Sequence, residues 1–111
     1  KNILNNINGI KFIDPPSVTR PNYWFYSIII EKGIYAYNNI ELMNIFSENN
    51  IQTRPLWYLN HWQQPYKNNY SYKIEKAVWY YDRILNLPCS SNLTEEEVEK
   101  VCVIIRKNSK K

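Results

Sequence analysis

A chain of 111 residues, 44% hydrophobic and 15% aromatic, has the composition of one folded domain with a modest core, which excludes a disordered tail. Two glycines, Gly9 and Gly33, are too few for a glycine-rich phosphate cradle, and no apolar run approaches the roughly 20 residues of a membrane span. The net charge of +4 raises a nucleic-acid reading, but Arg106, Lys107, Lys110 and Lys111 supply part of the excess at a chain end, where cations complement a helix C-terminus.

Ile3, Leu4 and Ile7 stand at helical spacing before Gly9, so residues 1–8 read as the end of a helix begun upstream. The opening lacks an initiator Met and an apolar leader, which leads us to expect a piece of a longer protein. Asp14-Pro15-Pro16 and Arg20-Pro21-Asn22 punctuate an extended connector. Tyr23 to Ile30 is aromatic and β-branched throughout, a strand apolar on both faces and therefore central, with Glu31-Lys32-Gly33 as its turn. Asn38 and Glu41 form a capping box for a helix whose apolar face is Leu42, Ile45 and Phe46, closed by Asn49-Asn50.

Ile51 to Arg54 is a short strand stopped by Pro55, and a long aromatic loop runs from Leu56 to Tyr70. A third helix from about Ser71 places Ile74, Ala77, Val78 and Tyr81 on one side, and Arg83 to Leu87 adds a short edge strand. The final helix is capped by Thr94 and Glu97, with Leu93 placed to staple against Val98 and with Val101, Cys102 and Ile105 on its apolar face. This order describes an α+β two-layer domain, helices packed on a small mixed sheet. Cys89 and Cys102 lack the spacing and the neighbouring histidine of a zinc site, so no metal is expected; two buried, reduced thiols of a cytosolic protein are.

The residues alone offer little catalysis. The one histidine, His61, lies in Thr53-Arg54-Pro55-Leu56-Trp57-Tyr58-Leu59-Asn60-His61-Trp62-Gln63-Gln64-Pro65-Tyr66, a loop far more aromatic than loops usually are. Arg54 has the planar fork that clamps a carboxylate or phosphate, His61 can exchange a proton, and the rings can shield a ligand from water. The plain alternative is that the rings pack beneath the loop and Arg54 pairs with a surface acid.

The order of these residues resembles the DegT/DnrJ/EryC1/StrS aminotransferases: a Thr53-Arg54-Pro55 strand end, then His61 and Gln64-Pro65-Tyr66. Asn86-Leu87-Pro88-Cys89, Leu93-Thr94-Glu95-Glu96-Glu97-Val98 and the Asn22-Tyr23-Trp24-Phe25-Tyr26 strand continue the match over about residues 9–107. Asn60 stands where a proline is common in the family, and Trp62 is an unusual aromatic. The resemblance implies a fold type I, homodimeric, cytoplasmic enzyme that uses pyridoxal phosphate to move an amino group, usually from glutamate, to a nucleotide-linked keto sugar. It places the Schiff-base lysine and the cofactor contacts in a large N-terminal domain. Residues 1–111 are then the C-terminal small domain, inactive alone, with no catalytic or cofactor-binding residue assigned and with Arg54 and His61 as the substrate-binding positions. The rival is a standalone nucleic-acid or ligand-binding module that stacks bases on Trp24, Tyr26, Trp57 and Trp62. Against it, no cation interrupts Tyr23 to Ile30. We therefore expect no nucleic-acid partner and no membrane partner.

Overall fold

The computed structural model describes residues 3–110. Four strands form one sheet in the order β1-β2-β4-β3: β1 (Ile10–Phe12), β2 (Tyr26–Ile30), β4 (Ile84–Leu87) and β3 (Arg54–Pro55). Every pairing is antiparallel, where a mixed sheet was expected. The connectivity supplies the reason. β2 and β3, joined through helix α1 (Asn39–Glu48), run the same way, but β4 is inserted between them and opposes both. With helix α3 (Glu95–Lys107) completing the second layer, the α+β reading holds.

β4 is accordingly a central strand and not the edge predicted. All four of its residues are buried, including a polar one. Asn86 is tolerated there because both ends of its amide are engaged by the neighbouring strands: Ser27 Oγ donates to its Oδ1 at 2.6 Å, and its Nδ2 donates to the Pro55 carbonyl at 3.3 Å. β2 is central, as its two apolar faces required, but it begins at Tyr26. Ahead of it the Trp24 N–H donates to Asn22 Oδ1 and Tyr23 adopts φ +53°, a local turn that keeps residues 23–25 out of the ladder.

The register sets the core. Ile10 pairs with Ile30, Ile28 with Leu85 and Tyr26 with Leu87, so these side chains share one sheet face. Leu42 and Phe46 of α1 and Val101, Cys102 and Ile105 of α3 join that face in a single cluster. Both helices start where the sequence placed them: Asn38 with Glu41, and Thr94 with Glu97, form complete capping boxes. Val98 stays 42% exposed, so the buried stripe of α3 begins one turn later, at Val101. Tyr35 ties the C-terminal half of α3 to the core by donating its hydroxyl to the Ile105 carbonyl at 2.6 Å, and burial pushes that hydroxyl's pKa upward.

Three further expectations are corrected. Residues 3–9 form turns, not a helix; Leu4 is buried and accepts a bond from the Ile7 N–H, while Lys1 and Asn2 lie outside the described residues. β1 falls where the sequence pattern shows only a connector. Gly9 makes it possible: its φ is +81°, and a Cβ there would lie 2.4 Å from the Tyr35 nitrogen, so only glycine lets the chain pass this close and turn into the edge strand. Of the two cysteines, Cys102 is buried but Cys89 is exposed, its thiol donating to the Trp24 carbonyl.

Candidate functional site

The aromatic loop leaves the sheet at Pro55 and returns through helix α2 (Glu75–Tyr81) into β4. No residue from 54 to 83 is buried, although this stretch holds three of the four tryptophans, so the loop spends its aromatic surface on ring contacts and a cavity wall. A single 3₁₀ turn, Asn60–Trp62, carries His61. The turn is tethered to α2 through Trp62, whose ring meets Tyr81 edge-on at 5.1 Å and Tyr58 at 5.6 Å. The His61 ring lies 5.2 Å from Trp62 and is half-buried. The predicted apolar side of α2, Ile74, Ala77, Val78 and Tyr81, is half-buried, and the helix begins at Glu75, after Lys73 at φ +48°.

His61 lines a cavity of about 550 Å³ together with Trp57, Tyr58, Tyr66, Tyr70 and Asn69. Its lining mixes these rings with the aliphatic Leu56, Leu59, Ile74 and Ala77 and with the polar Asn60 and Ser71, an apolar hollow with a few polar groups of the kind that small ligands occupy. Arg54 is exposed at the sheet edge and lines a different cleft, of about 580 Å³, with Asn50, Cys89 and Lys100. The two hollows share no lining residue. They adjoin, because Phe25 of the cleft and Trp57 of the aromatic cavity meet edge-to-face at 6.0 Å. The structure thus places the two predicted substrate residues in neighbouring but separate hollows. Arg54 makes no ion pair among the described residues.

Thr53, which enters the sequence pattern only as part of the Thr53-Arg54-Pro55 step, has a buried hydroxyl with no hydrogen-bond partner among the described residues. Tyr66, quoted only within the Gln64-Pro65-Tyr66 motif, and Asn69 and Tyr70, not singled out by the sequence pattern, line the His61 cavity. Their signal was weak, since loop tyrosines and asparagines are common in this chain. Of the stacking platforms proposed for a nucleic-acid binder, Tyr26 is half-buried beside Phe12 at 5.7 Å and Trp62 is engaged as above. Trp24 and Trp57 are the most exposed of the four, and their rings meet each other at 6.4 Å.

The described residues do not build a pyridoxal-phosphate site. A Schiff-base lysine needs a sheltered amine and an acid facing the pyridine nitrogen. Every described lysine is exposed, and several are engaged elsewhere: Lys11 with Glu31, Lys32 with Asp82, and Lys110 with the Gly33 carbonyl. No group of three or more acidic, histidine or cysteine side chains is arranged to hold a metal among the described residues. No helix among them is long and apolar enough to cross a membrane.

The family model for the DegT/DnrJ/EryC1/StrS aminotransferases matches residues 1–106. This chain belongs to that family. A relative from Bacillus subtilis (strain 168), EpsN, named as a pyridoxal phosphate-dependent aminotransferase, is 28% identical over 109 residues; the match covers 95% of this chain and 27% of EpsN. Among solved structures, DesI in the presence of its TDP-sugar product superposes with a TM-score of 0.86 at 16% identity, covering 96% of this chain and 27% of DesI. PseC of Helicobacter pylori, an aminotransferase involved in the biosynthesis of pseudoaminic acid, superposes with a TM-score of 0.82 at 16% identity, over 97% of this chain and 29% of PseC. The chain therefore spans a little over a quarter of the length of these relatives, and the structural matches show that its α+β fold recurs within these longer proteins.

Proposed function

We propose that residues 1–111 are the C-terminal small domain of a pyridoxal-phosphate-dependent enzyme that transfers an amino group from glutamate to a nucleotide-linked keto sugar. The observation that carries this reading is the match of nearly the whole chain to the family, and a hollow lined by aromatic, aliphatic and a few polar side chains is consistent with it. When bound, the cofactor supplies the electron sink for amino transfer. Since the residues described here do not fit it, its lysine and phosphate contacts belong to the remainder of a longer, homodimeric, cytoplasmic protein. This domain's part is to receive and orient substrate. In that role Arg54 offers a bidentate fork to a carboxylate or phosphate, and His61 meets a sugar hydroxyl or moves a proton from the cavity rim. The surrounding rings exclude water.

The test is an amino-transfer assay on the full-length protein, with pyridoxal phosphate, L-glutamate and a nucleotide-linked keto sugar, following 2-oxoglutarate and the amino sugar. Turnover by the full-length protein and none by the 111-residue chain is the expected result. A full-length protein that makes no amino sugar from any such substrate would refute the reading, as would specific, borohydride-stable attachment of pyridoxal phosphate to one lysine of the 111-residue chain.

A further inference from the structure

His61 stands on a turn none of whose own residues is buried, yet the turn is closed. The closure comes from Gln63. Its side-chain amide nitrogen donates to the Tyr58 carbonyl at 3.0 Å and to Asn60 Oδ1 at 3.1 Å, while its backbone N–H donates to the Asn60 carbonyl at 3.0 Å. A carboxamide nitrogen carries two hydrogens, and both are spent inside this turn. The Trp62 N–H adds a bond to the Leu59 carbonyl at 2.9 Å. Residues 58–63 are thus clasped from within by one side chain, and Trp62 pins the clasped turn to Tyr81 of α2. Tyr58, Leu59, Asn60 and His61, four lining residues of the cavity, all lie in the clasped segment.

We propose that Gln63 is a positioning residue: its carboxamide holds the 58–63 turn in the form that presents His61 and Tyr58 to the cavity, and so sets how substrate is held. The chemistry of the clasp makes glutamine specific. Two acceptors, a main-chain carbonyl and Asn60 Oδ1, face the same nitrogen, and only a group with two hydrogens answers both. Arginine or lysine would carry a charge into the turn, a hydrocarbon would leave both acceptors to solvent, and a carboxylate would set a third acceptor against them. Asn60 can turn its amide to donate to a carboxylate, but the Tyr58 carbonyl has no such freedom.

This inference rests on the reading of His61 as a substrate contact, and two measurements separate it from that reading. Gln63→Glu is nearly isosteric and removes both donors, and Gln63→Leu removes all side-chain polarity. In the full-length protein, amide hydrogen exchange at Trp62 and Gln63 should quicken about tenfold in both variants, the worth of one or two modest hydrogen bonds, while the amides of β2 and β4 keep their wild-type rates. With Gln63→Glu the effect should shrink as pH falls through the carboxyl range, because the protonated acid regains one donor; with Gln63→Leu it should be independent of pH beyond the intrinsic exchange rate. In the full-length enzyme, the same variants should raise KM for the keto sugar about tenfold and move KM for the amino donor little. Unchanged exchange at Trp62 and Gln63 refutes the clasp, and quickened exchange with an unaltered sugar KM refutes its positioning role. A wild-type enzyme with no amino transfer takes down the functional reading and this inference with it, whereas a wild type that turns over beside indifferent variants takes down the clasp alone.

Discussion

The two halves of this small domain are built on opposite terms. In the sheet and its two helices, apolar side chains at strand and helix spacing vanish into one cluster, with Ile28, Leu42, Phe46, Leu85 and Ile105 fully buried and both helices fastened by capping boxes. Between residues 54 and 83 nothing is buried, α2 has no side-chain cap, and Trp62, Tyr58 and Tyr81 pack against one another. Stability is concentrated in the first region, and exposed, shaped aromatic surface in the second. Loop surface held on a rigid scaffold is where binding residues ordinarily sit.

The contrast is broken most easily from the core side. Phe46→Ala should cost about 3–5 kcal/mol, the lost ring plus the cavity it leaves, read as a fall in the denaturant midpoint. Gly9→Ala should cost about 2 kcal/mol or more, since the left-handed backbone and the contact with Tyr35 both oppose a Cβ. Thr94→Ala removes the N-cap acceptor of α3 and should cost about 0.5–2 kcal/mol. Trp57→Ala, at 70% exposure, should shift stability by only about 0.5 kcal/mol despite the size of the side chain. A loss at Trp57 as large as that at Phe46 would erase the division between the two regions.

The smallest effect is the acid dependence of the α3 cap. The Thr94 backbone N–H, and then its hydroxyl, hold the Glu97 carboxyl below the ordinary 4.5. A depressed folded-state pKa stabilises above the unfolded value and is lost as pH falls through the folded one. The stability gap between the wild type and Glu97→Gln should therefore narrow as pH is lowered from 5 toward the folded pKa, and pH-resolved melts would check it. A gap that widens on acidification would contradict the assignment.

The same division governs what the sequence disclosed. Both capping boxes were legible because Asn38-Glu41 and Thr94-Glu97 are local, and local geometry satisfied them. The central place of β2 followed from its apolar faces. β1 was not legible: three residues between Gly9 and Pro15 carry little periodicity, and only the packing of Gly9 against Tyr35 shows why the chain turns there. The rank of β4 and the antiparallel sheet were hidden because pairing is non-local, and Asn86 in a buried strand reads as an edge until its two partners on β2 and β3 are seen. In the site, residue types pointed to Arg54 and His61. Their separation into adjoining hollows depends on the path of the loop, which no spacing rule fixes.

The central claim is that the aromatic loop and its rim serve substrate and not the fold. Steady-state kinetics of Arg54→Lys and His61→Asn in the full-length enzyme, each beside a thermal melt, test it most directly. Arg54→Lys keeps the charge but loses the planar fork, and should raise KM for one substrate about tenfold with an unchanged melt. His61→Asn should lower kcat if the ring moves a proton, or raise KM alone if it orients the sugar, again with little change in melting. Wild-type kinetics in both variants, with lowered melting temperatures, would contradict the claim and make the pair part of the loop's packing.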